Sequence, residues 1–323
     1  MRDHNLNWDR RTAFWPTPAP PGPPGGDLRL WMLAQDASTQ TRSHLQGVNH
    51  GQGDGRRVRI DHCSEQLAAV LSGSLPSKGG DRELASALPG FVQQVVMSII
   101  LSDVIDYEVE LGLESTHNGE QLRQVKLGFI PSGTMACIWG SAYQLVPRDQ
   151  AGEKGPVRRL DRWRVARFRA PRKWRGYLAR LRRQLLLIRK REERWQEGIL
   201  DQKSREDFSE VHRQHDLAVA RCTSRIGWHA RGQLDERLTS YHAMLRGLRW
   251  HAFCIELREE ILRSLGGAFQ RIGAVYGEEP KLVLDGLVGI GDVREAEAGT
   301  KEGSKPFNDL LEKFHRPIEV TVA

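Results

Sequence analysis

The densest chemistry in this sequence is cationic. Between Arg158 and Arg191, 34 residues hold 13 Arg and 2 Lys against one acid, Asp161. That segment carries a formal charge of +14 in a chain of +7, so the other residues together sum to −7. A guanidinium group presents a planar fork that matches phosphate or carboxylate through two parallel hydrogen bonds. Arginine at this density points to a polyanion. Nucleic acid, bound without sequence preference, ranks first, and an acidic protein surface second. Anionic lipid ranks last, because the Leu and aromatic residues of the segment are spaced like a core face. The candidate phosphate contacts are Arg164, Arg167, Arg169, Arg172, Lys173, Arg175, Arg180, Arg182 and Arg183. Trp163 and Trp174 are interleaved with them as candidates for stacking or interface anchoring. The remainder at −7 is itself a candidate partner, in the same chain or in a neighbouring subunit.

Other constellations are weaker. His212 and His215 form HxxH, with Glu210 and Asp216 alongside and Cys222 and His229 downstream. On a helix, positions three apart share a face and could hold a metal. Two ligands at that spacing fit polar surface better, and no HExxH or CxxC stands in the sequence. The pairs Cys254 with His251 and Cys222 with His229 invite a thiol-nucleophile reading, against which a buried helical cysteine is simpler. Gly286-x-x-Gly289-x-Gly291 follows a short strand, but Asp292 would repel a phosphate there. A tight turn with an Asp cap is the better reading. Trp228, after Gly227, reads as a packing anchor between two helices. There is no Walker A sequence, no GxSxG and no kinase signature. These residues assign no catalytic group, metal or cofactor. The preferred reading is a non-enzymatic, nucleic-acid-contacting or assembly protein. The alternatives are an oligomeric scaffold whose basic block meets an acidic protein surface, and an enzyme with a metal or thiol site built from His212, His215, Cys222 and Cys254.

The elements that must position these residues follow from pattern and composition. With 323 residues, 39% hydrophobic and 28% charged, the chain suits one large domain or two medium ones. The composition excludes collagen, a disulfide scaffold and a multi-span membrane protein. Its four cysteines are scattered, which fits free thiols in a reducing cytoplasm. Residues 1–85 read as a mostly disordered arm, with PTPAPPGPPGG at Pro16–Gly26 and a Gly-rich stretch at Gly47–Gly55. Only Leu28–Ala34 and Gln66–Leu71 show apolar periodicity there. Residues 86–156 predict a helix and an antiparallel sheet. Phe91, Val92, Val95, Val96, Ile99 and Ile100 recur at helical spacing, from near Pro89. No apolar run approaches the roughly 20 residues of a membrane span. Alternation from Tyr107 to Leu113, then Val125–Phe129, Thr134–Trp139 and Ala142–Val146, predicts a four-strand meander over Asp106–Pro147.

Residues 157–276 read as a basic helical unit. Arg162–Arg169 predicts a strand, ended by Pro171. A long helix follows, with Trp174, Tyr177, Leu178, Leu181, Leu185, Ile188, Trp195 and Ile199 on one stripe. Further helices are predicted over Glu206–Arg225 and Leu234–Ile272, the latter loosened at Gly266-Gly267. Residues 277–323 predict a short strand at Lys281–Leu284 and short helices near Asp292–Ala298 and Phe307–Phe314. The fold class is α+β, a helix plus antiparallel meander followed by a mainly helical unit.

The strings SDVIDYEVELGLES, NGEQLRQVKLGFIPSGTM and GSAYQLVPRD, with RWRVARFRAPRKWRG after them, resemble the wing region of tailed-phage portal proteins. The resemblance covers Ser102–Gly176. It implies a ring-forming homo-oligomer, commonly of twelve subunits, through which DNA passes. It also implies a virion location and a basic block facing DNA or a neighbouring subunit. It carries no residue role onto this chain.

Overall fold

The predicted apolar helix exists and organises the first core. In the computed structural model, which describes residues 6–12, 28–45, 57–76, 84–116, 119–131, 133–139, 141–148, 155–201, 208–228 and 239–303, the elements run in this order. They are β1 (Asn7–Asp9), α1 (Leu28–Ser43), β2 (Arg57–Asp61), α2 (Glu65–Ser72), α3 (Leu84–Ser102), β3 (Val104–Thr116) and β4 (Gly119–Ile130). Then come β5 (Met135–Ile138), β6 (Ser141–Leu145), β7 (Val157–Leu160), a 3-10 turn (Arg162–Arg164) and β8 (Val165–Arg169). The chain continues with α4 (Arg172–Asp201), α5 (Phe208–Thr223), α6 (Ser240–Val275), β9 (Lys281–Asp285) and α7 (Ile290–Glu302). Two compact units share these elements. The first holds β1, most of α1, β2, α2, α3, β3 to β8, the start of α4, the end of α6 and β9. The second holds the rest of α4, α5, the first half of α6 and α7.

In the first unit, α3 buries ten residues, from Leu84 to Ile100. It begins before Pro89, which sits in its second turn and costs one backbone hydrogen bond there. By length and composition α3 could cross a membrane, but half of it is buried inside the protein. Phe91 meets Tyr107 and Phe168 with ring centroids 5.4 Å from each. Tyr107 in turn meets Phe168 at 5.7 Å and Phe129 at 6.0 Å, both edge to face. These tilted aromatic contacts join α3, β3, β4 and β8 into one core. Burial pushes the Tyr107 hydroxyl far above its ordinary pKa.

The four predicted strands of the meander form, but two sheets share them. β3 pairs with β4 along its length, with a register shift at Gly112/Leu113. Its other edge is occupied twice, by β8 over Val104–Glu108 and by β1 over Leu111–Leu113. β5 and β6 instead form a three-stranded sheet with β7, which falls at the start of the basic block, where no strand was expected before Arg162. A turn redirects the chain between the sheets. Gly133 has φ +81°, and both the N–H and the hydroxyl of Thr134 donate to the Pro131 carbonyl.

Residues 1–85 hold more regular structure than their composition suggests. β1 adds to the edge of β3, and β2 pairs antiparallel with β9 from Arg57↔Asp285 to Asp61↔Lys281. Leu33, Ala34, Ala37 and Leu45 are buried. Ser64 caps α2 by accepting from the Leu67 N–H, and Leu67 and Leu71 face inward. The partner of β2 lies 226 residues away along the chain, beyond the reach of local composition. Pro16–Gly26, Gly47–Gly55 and the predicted helix Phe307–Phe314 lie outside the described residues.

α6 is continuous through Gly266-Gly267, where a loosening was expected. Leu265, Phe269 and Ile272 on its inner side are fully buried and hold it. At Gly273 a Cβ would stand 2.0 Å from Pro280 Cδ, so the loop before β9 needs a glycine there. In the second unit, Met244, Leu248 and Ile255 of α6 pack with Val293 and Ala296 of α7. Gly227, with φ +75°, turns the chain after α5. Arg246 of α6 donates to the carbonyls of Gly227 and Trp228, and Trp228 is buried as an anchor.

Candidate nucleic-acid interface

Period-two alternation along β3 sends Tyr107, Val109 and Leu111 to the core and sets Asp106, Glu108 and Glu110 in a row on the opposite face. A row of carboxylates on a sheet needs cations or hydrogen-bond donors. Each is met. Arg167, directly opposite Asp106 in the β3–β8 register, donates Nε and Nη2 to its two oxygens at 2.6 and 2.9 Å. Glu108, fully buried, accepts the backbone N–H of Arg11 at 2.7 Å, the N–H of Thr12 at 2.9 Å and the Thr12 hydroxyl. Arg10 lies 3.2 Å from Glu110. Gly128 on β4 leaves room for that Glu110 carboxylate, which a Cβ would meet. Arg164, also buried, donates Nη1 to the Asp9 carbonyl at 3.1 Å and Nη2 to the Asp9 carboxylate at 2.5 Å. It clasps β1 to the turn before β8, where both strands share one edge of β3.

The electrostatics follow this geometry. Burial raises the Asp9 pKa, but hydrogen bonds from Arg164 and Arg11 outweigh it and leave Asp9 below the usual carboxylate value. The Asp106 hydrogen bond raises Arg167 above its ordinary pKa despite burial. Glu110 moves upward, because burial and the neighbouring Glu108 outweigh Arg10 and Lys126.

The predicted set therefore divides. Arg164 and Arg167 are held by carboxylates of the same chain. Arg169 is half-buried at the end of β8. Arg175 donates Nε to the Ala170 carbonyl at 2.8 Å, fastening the first turn of α4. Trp174 is 8% exposed and packs edge to face on Tyr177 at 5.7 Å. Trp163 is half-buried, with the Arg164 guanidinium 4.9 Å from its ring. Arg172 and Lys173 are exposed at the start of α4, with the Lys173 ammonium 5.2 Å from the Trp174 ring. Further along α4, Arg180 and Arg183 are exposed and Arg182 is half-buried. Leu178, Leu181, Leu185 and Ile188 form the predicted buried stripe, while the side chains of Trp195 and Ile199 lie outside the described residues. Lys190 and Arg191 are exposed, as are Leu186 and Leu187.

Sequence reasoning missed Asp9, Arg10, Arg11, Asp106, Glu108 and Glu110 as parts of this cluster. The period-two acids of DYEVE were a visible signal, whereas nothing local marks Asp9–Arg11. The other constellations stay apart from it. His215 is half-buried on α5, the His212 side chain and all of His229 lie outside the described residues, and no group of three or more metal-ligating side chains gathers among the described ones. Cys222 donates to the Val219 carbonyl, and Cys254 and His251 are buried in α6. Asp292 accepts from the Gly289 N–H at 2.8 Å, as expected of the cap of α7.

The fold and this cluster describe an α+β chain of antiparallel sheets and long helices with its basic segment docked on an acidic strand. No family model and no curated protein matches the sequence. Among solved structures, the chain is similar to one from the neck of an empty gene transfer agent (GTA) particle computed with C6 symmetry. There the identity is 11%, the match covers 92% of this chain and 94% of that one, and the TM-score is 0.47. It is also similar to a chain of the virion of the native gene transfer agent particle, at 12% identity, 95% and 96% coverage and a TM-score of 0.48.

Proposed function

We propose that the chain is a non-enzymatic structural subunit of a phage-like particle, assembled as a homo-oligomer, and that it contacts nucleic-acid phosphates through the exposed cations of α4. The supporting observation is the division of α4 itself. Leu178, Leu181, Leu185 and Ile188 are buried on one stripe, and Arg172, Lys173, Arg180 and Arg183 stand exposed off it. An exposed cationic helix side releases counterions when it meets a phosphate backbone, so binding is sequence-independent and salt-sensitive. In this reading Arg164 and Arg167 lock the start of α4 to β3, and Arg172, Lys173, Arg180 and Arg183 face phosphate. The segment that resembles the portal wing, Ser102–Gly176, runs from the end of α3 through the antiparallel strands to β8, Pro171 and the start of the long helix α4. Fluorescence anisotropy with duplex DNA tests the reading. Affinity is expected to fall by on the order of tenfold or more between about 50 and 200 mM salt. Replacing Arg172, Arg180 and Arg183 with Gln should flatten the slope by about 1 for each lost phosphate contact. Absence of binding at the low-salt end overturns it.

A second reading has a specific observation in its favour. Arg164 with Asp9 and Arg167 with Asp106 already join this chain's arginines to its own carboxylates. The exposed cations of α4 could meet the acidic surface of a neighbouring copy in the same way. Mass in solution separates the two readings, since an oligomer that dissociates in high salt with no nucleic acid bound favours the second.

A further inference from the structure

A cleft of about 360 Å³ opens within the first unit, lined by Asp9, Arg10, Arg11, Val157, Arg158 and Arg159. Four of these six residues are arginines, brought together from the end of β1 and from β7. We infer that this cleft is a phosphate-binding site, separate from the exposed cations of α4.

The argument begins with charge. Within the lining, four arginines stand with one acid, Asp9, whose carboxylate accepts from Arg11 at 3.1 Å. Glu110 is 3.2 Å from Arg10. Glu108 and Asp161 also act on Arg11, and Arg164 shares Asp9 with it. With these included, five cations meet four acids, and the cleft keeps a formal excess of one positive charge. Like charges gathered in a small space repel, and an anion between them relieves that repulsion. Hydrogen bonds from Arg164 and Arg11 keep Asp9 ionised, so its charge offsets only part of the excess.

The walls are also fixed in advance. On one side, Glu108 holds the backbone N–H groups of Arg11 and Thr12, Arg164 holds Asp9, and β1 is paired to β3. On the other, β7 is paired to β6, with Arg158 opposite the buried Gln144 and Arg159 opposite Tyr143. Guanidinium groups carried on paired strands lose less freedom on binding than groups on loose chain. The volume lies at the small end of the range for ligand sites, roughly 300–1,000 Å³, and such sites are mostly apolar. This one offers a single apolar residue, Val157. That lining suits a phosphate and the group attached to it, not an apolar ligand. The phosphate could belong to a nucleic-acid backbone or to a free nucleotide or polyphosphate.

The test uses the full chain and two probes, pyrophosphate by titration calorimetry and a short duplex DNA by anisotropy. The cleft variant is Arg158→Gln with Arg159→Gln, and Arg11→Gln serves if that pair fails to fold by circular dichroism. The α4 variant with Arg172, Arg180 and Arg183 replaced by Gln is the control. The cleft variant is expected to lose about tenfold or more in affinity for at least one probe, the scale of one or two charge-assisted hydrogen bonds. Its loss of pyrophosphate affinity should be absent from the α4 control, which keeps this inference distinct from the reading of α4. A loss for DNA, with pyrophosphate competing, assigns the site to backbone phosphate. A loss for pyrophosphate alone assigns it to a free phosphate compound. Unchanged affinity for both probes overturns the inference. So does wild-type protein that ignores both probes but binds a polyglutamate peptide, because the cleft would then be a carboxylate-docking surface.

Discussion

Arg167 and Asp106 face each other across the β3–β8 pairing, and the guanidinium grips both carboxylate oxygens at 2.6 and 2.9 Å. The contact fastens the most basic segment of the chain to its most regular acidic strand. The Asp106 side chain is 8% exposed and that of Arg167 is 26% exposed, so water screens the pair only in part. Breaking one partner of a fully buried pair costs about 3–5 kcal/mol, and exposed pairs are worth at most about 1 kcal/mol. Asp106→Asn should therefore destabilise the first unit by about 2 kcal/mol in urea unfolding. Combining it with Arg167→Gln should cost less than the two single changes together, by about 1 kcal/mol or more. Additive costs would mean the pair does not couple.

The acid limb of stability should report Asp9. Its folded pKa lies below its unfolded value, near about 3.9. The folded state then binds fewer protons than the unfolded state between those two values. The stabilisation is complete above the unfolded pKa and is lost as pH falls through the folded one. Glu110 has the opposite sign, with a raised folded pKa. Its contribution is present below about 4.3 and is lost as pH rises through the folded value. Asp9→Asn should flatten the stability profile below about pH 4, and Glu110→Gln should flatten it just above. Urea unfolding across pH 3 to 7 would check both signs.

Two glycines with nearly equal φ angles separate strain from crowding. Gly227 has φ +75° and Gly277 has φ +73°. A Cβ at Gly227 would stand 2.1 Å from the Arg246 carbonyl oxygen and 2.8 Å from the Trp250 nitrogen, whereas one at Gly277 meets nothing within 4 Å. Gly277→Ala should cost about 1 kcal/mol, for the left-handed backbone alone. Gly227→Ala should cost well over about 2 kcal/mol, because α6 must also move. The difference between their thermal midpoints is the readout.

The four free thiols should alkylate in an order set by access. Cys137 is exposed, Cys63 and Cys222 are half-buried, and Cys254 is fully buried. Burial, with Glu278 and Asp61 nearby, also pushes the Cys63 thiol up, so little thiolate forms there at neutral pH. Mass spectrometry after a short pulse of iodoacetamide should find Cys137 modified first and Cys254 only after denaturation. Fast reaction at Cys222 would revive a thiol site in α5.

Much of the secondary structure was legible locally. The stripes of α3 and α4, the alternation of β3 and β4, and the cap of α7 all arise from the side chain's preference to face oil or water at a fixed period. The buried positions Phe91, Val95, Leu178, Leu181 and Leu185 follow from spacing alone. So does the total of charge, and so does its division into a block of +14 and a remainder of −7.

Tertiary structure decided which charges meet. Arg164 lies 155 residues from Asp9, Thr12 lies 96 from Glu108, and Arg59 lies 226 from Asp285. Period and composition act over a few residues and carry no record of such pairings. β1 and β2 were illegible for the same reason, since a short polar strand is stabilised by the edge it completes. Sequence therefore determined that this chain concentrates its positive charge in one segment. Only the fold decided that part of that charge is spent on β3, that part stands exposed on α4, and that Arg10, Arg11, Arg158 and Arg159 line one cleft. Coulomb attraction depends on distance in space, and the strand pairings set those distances.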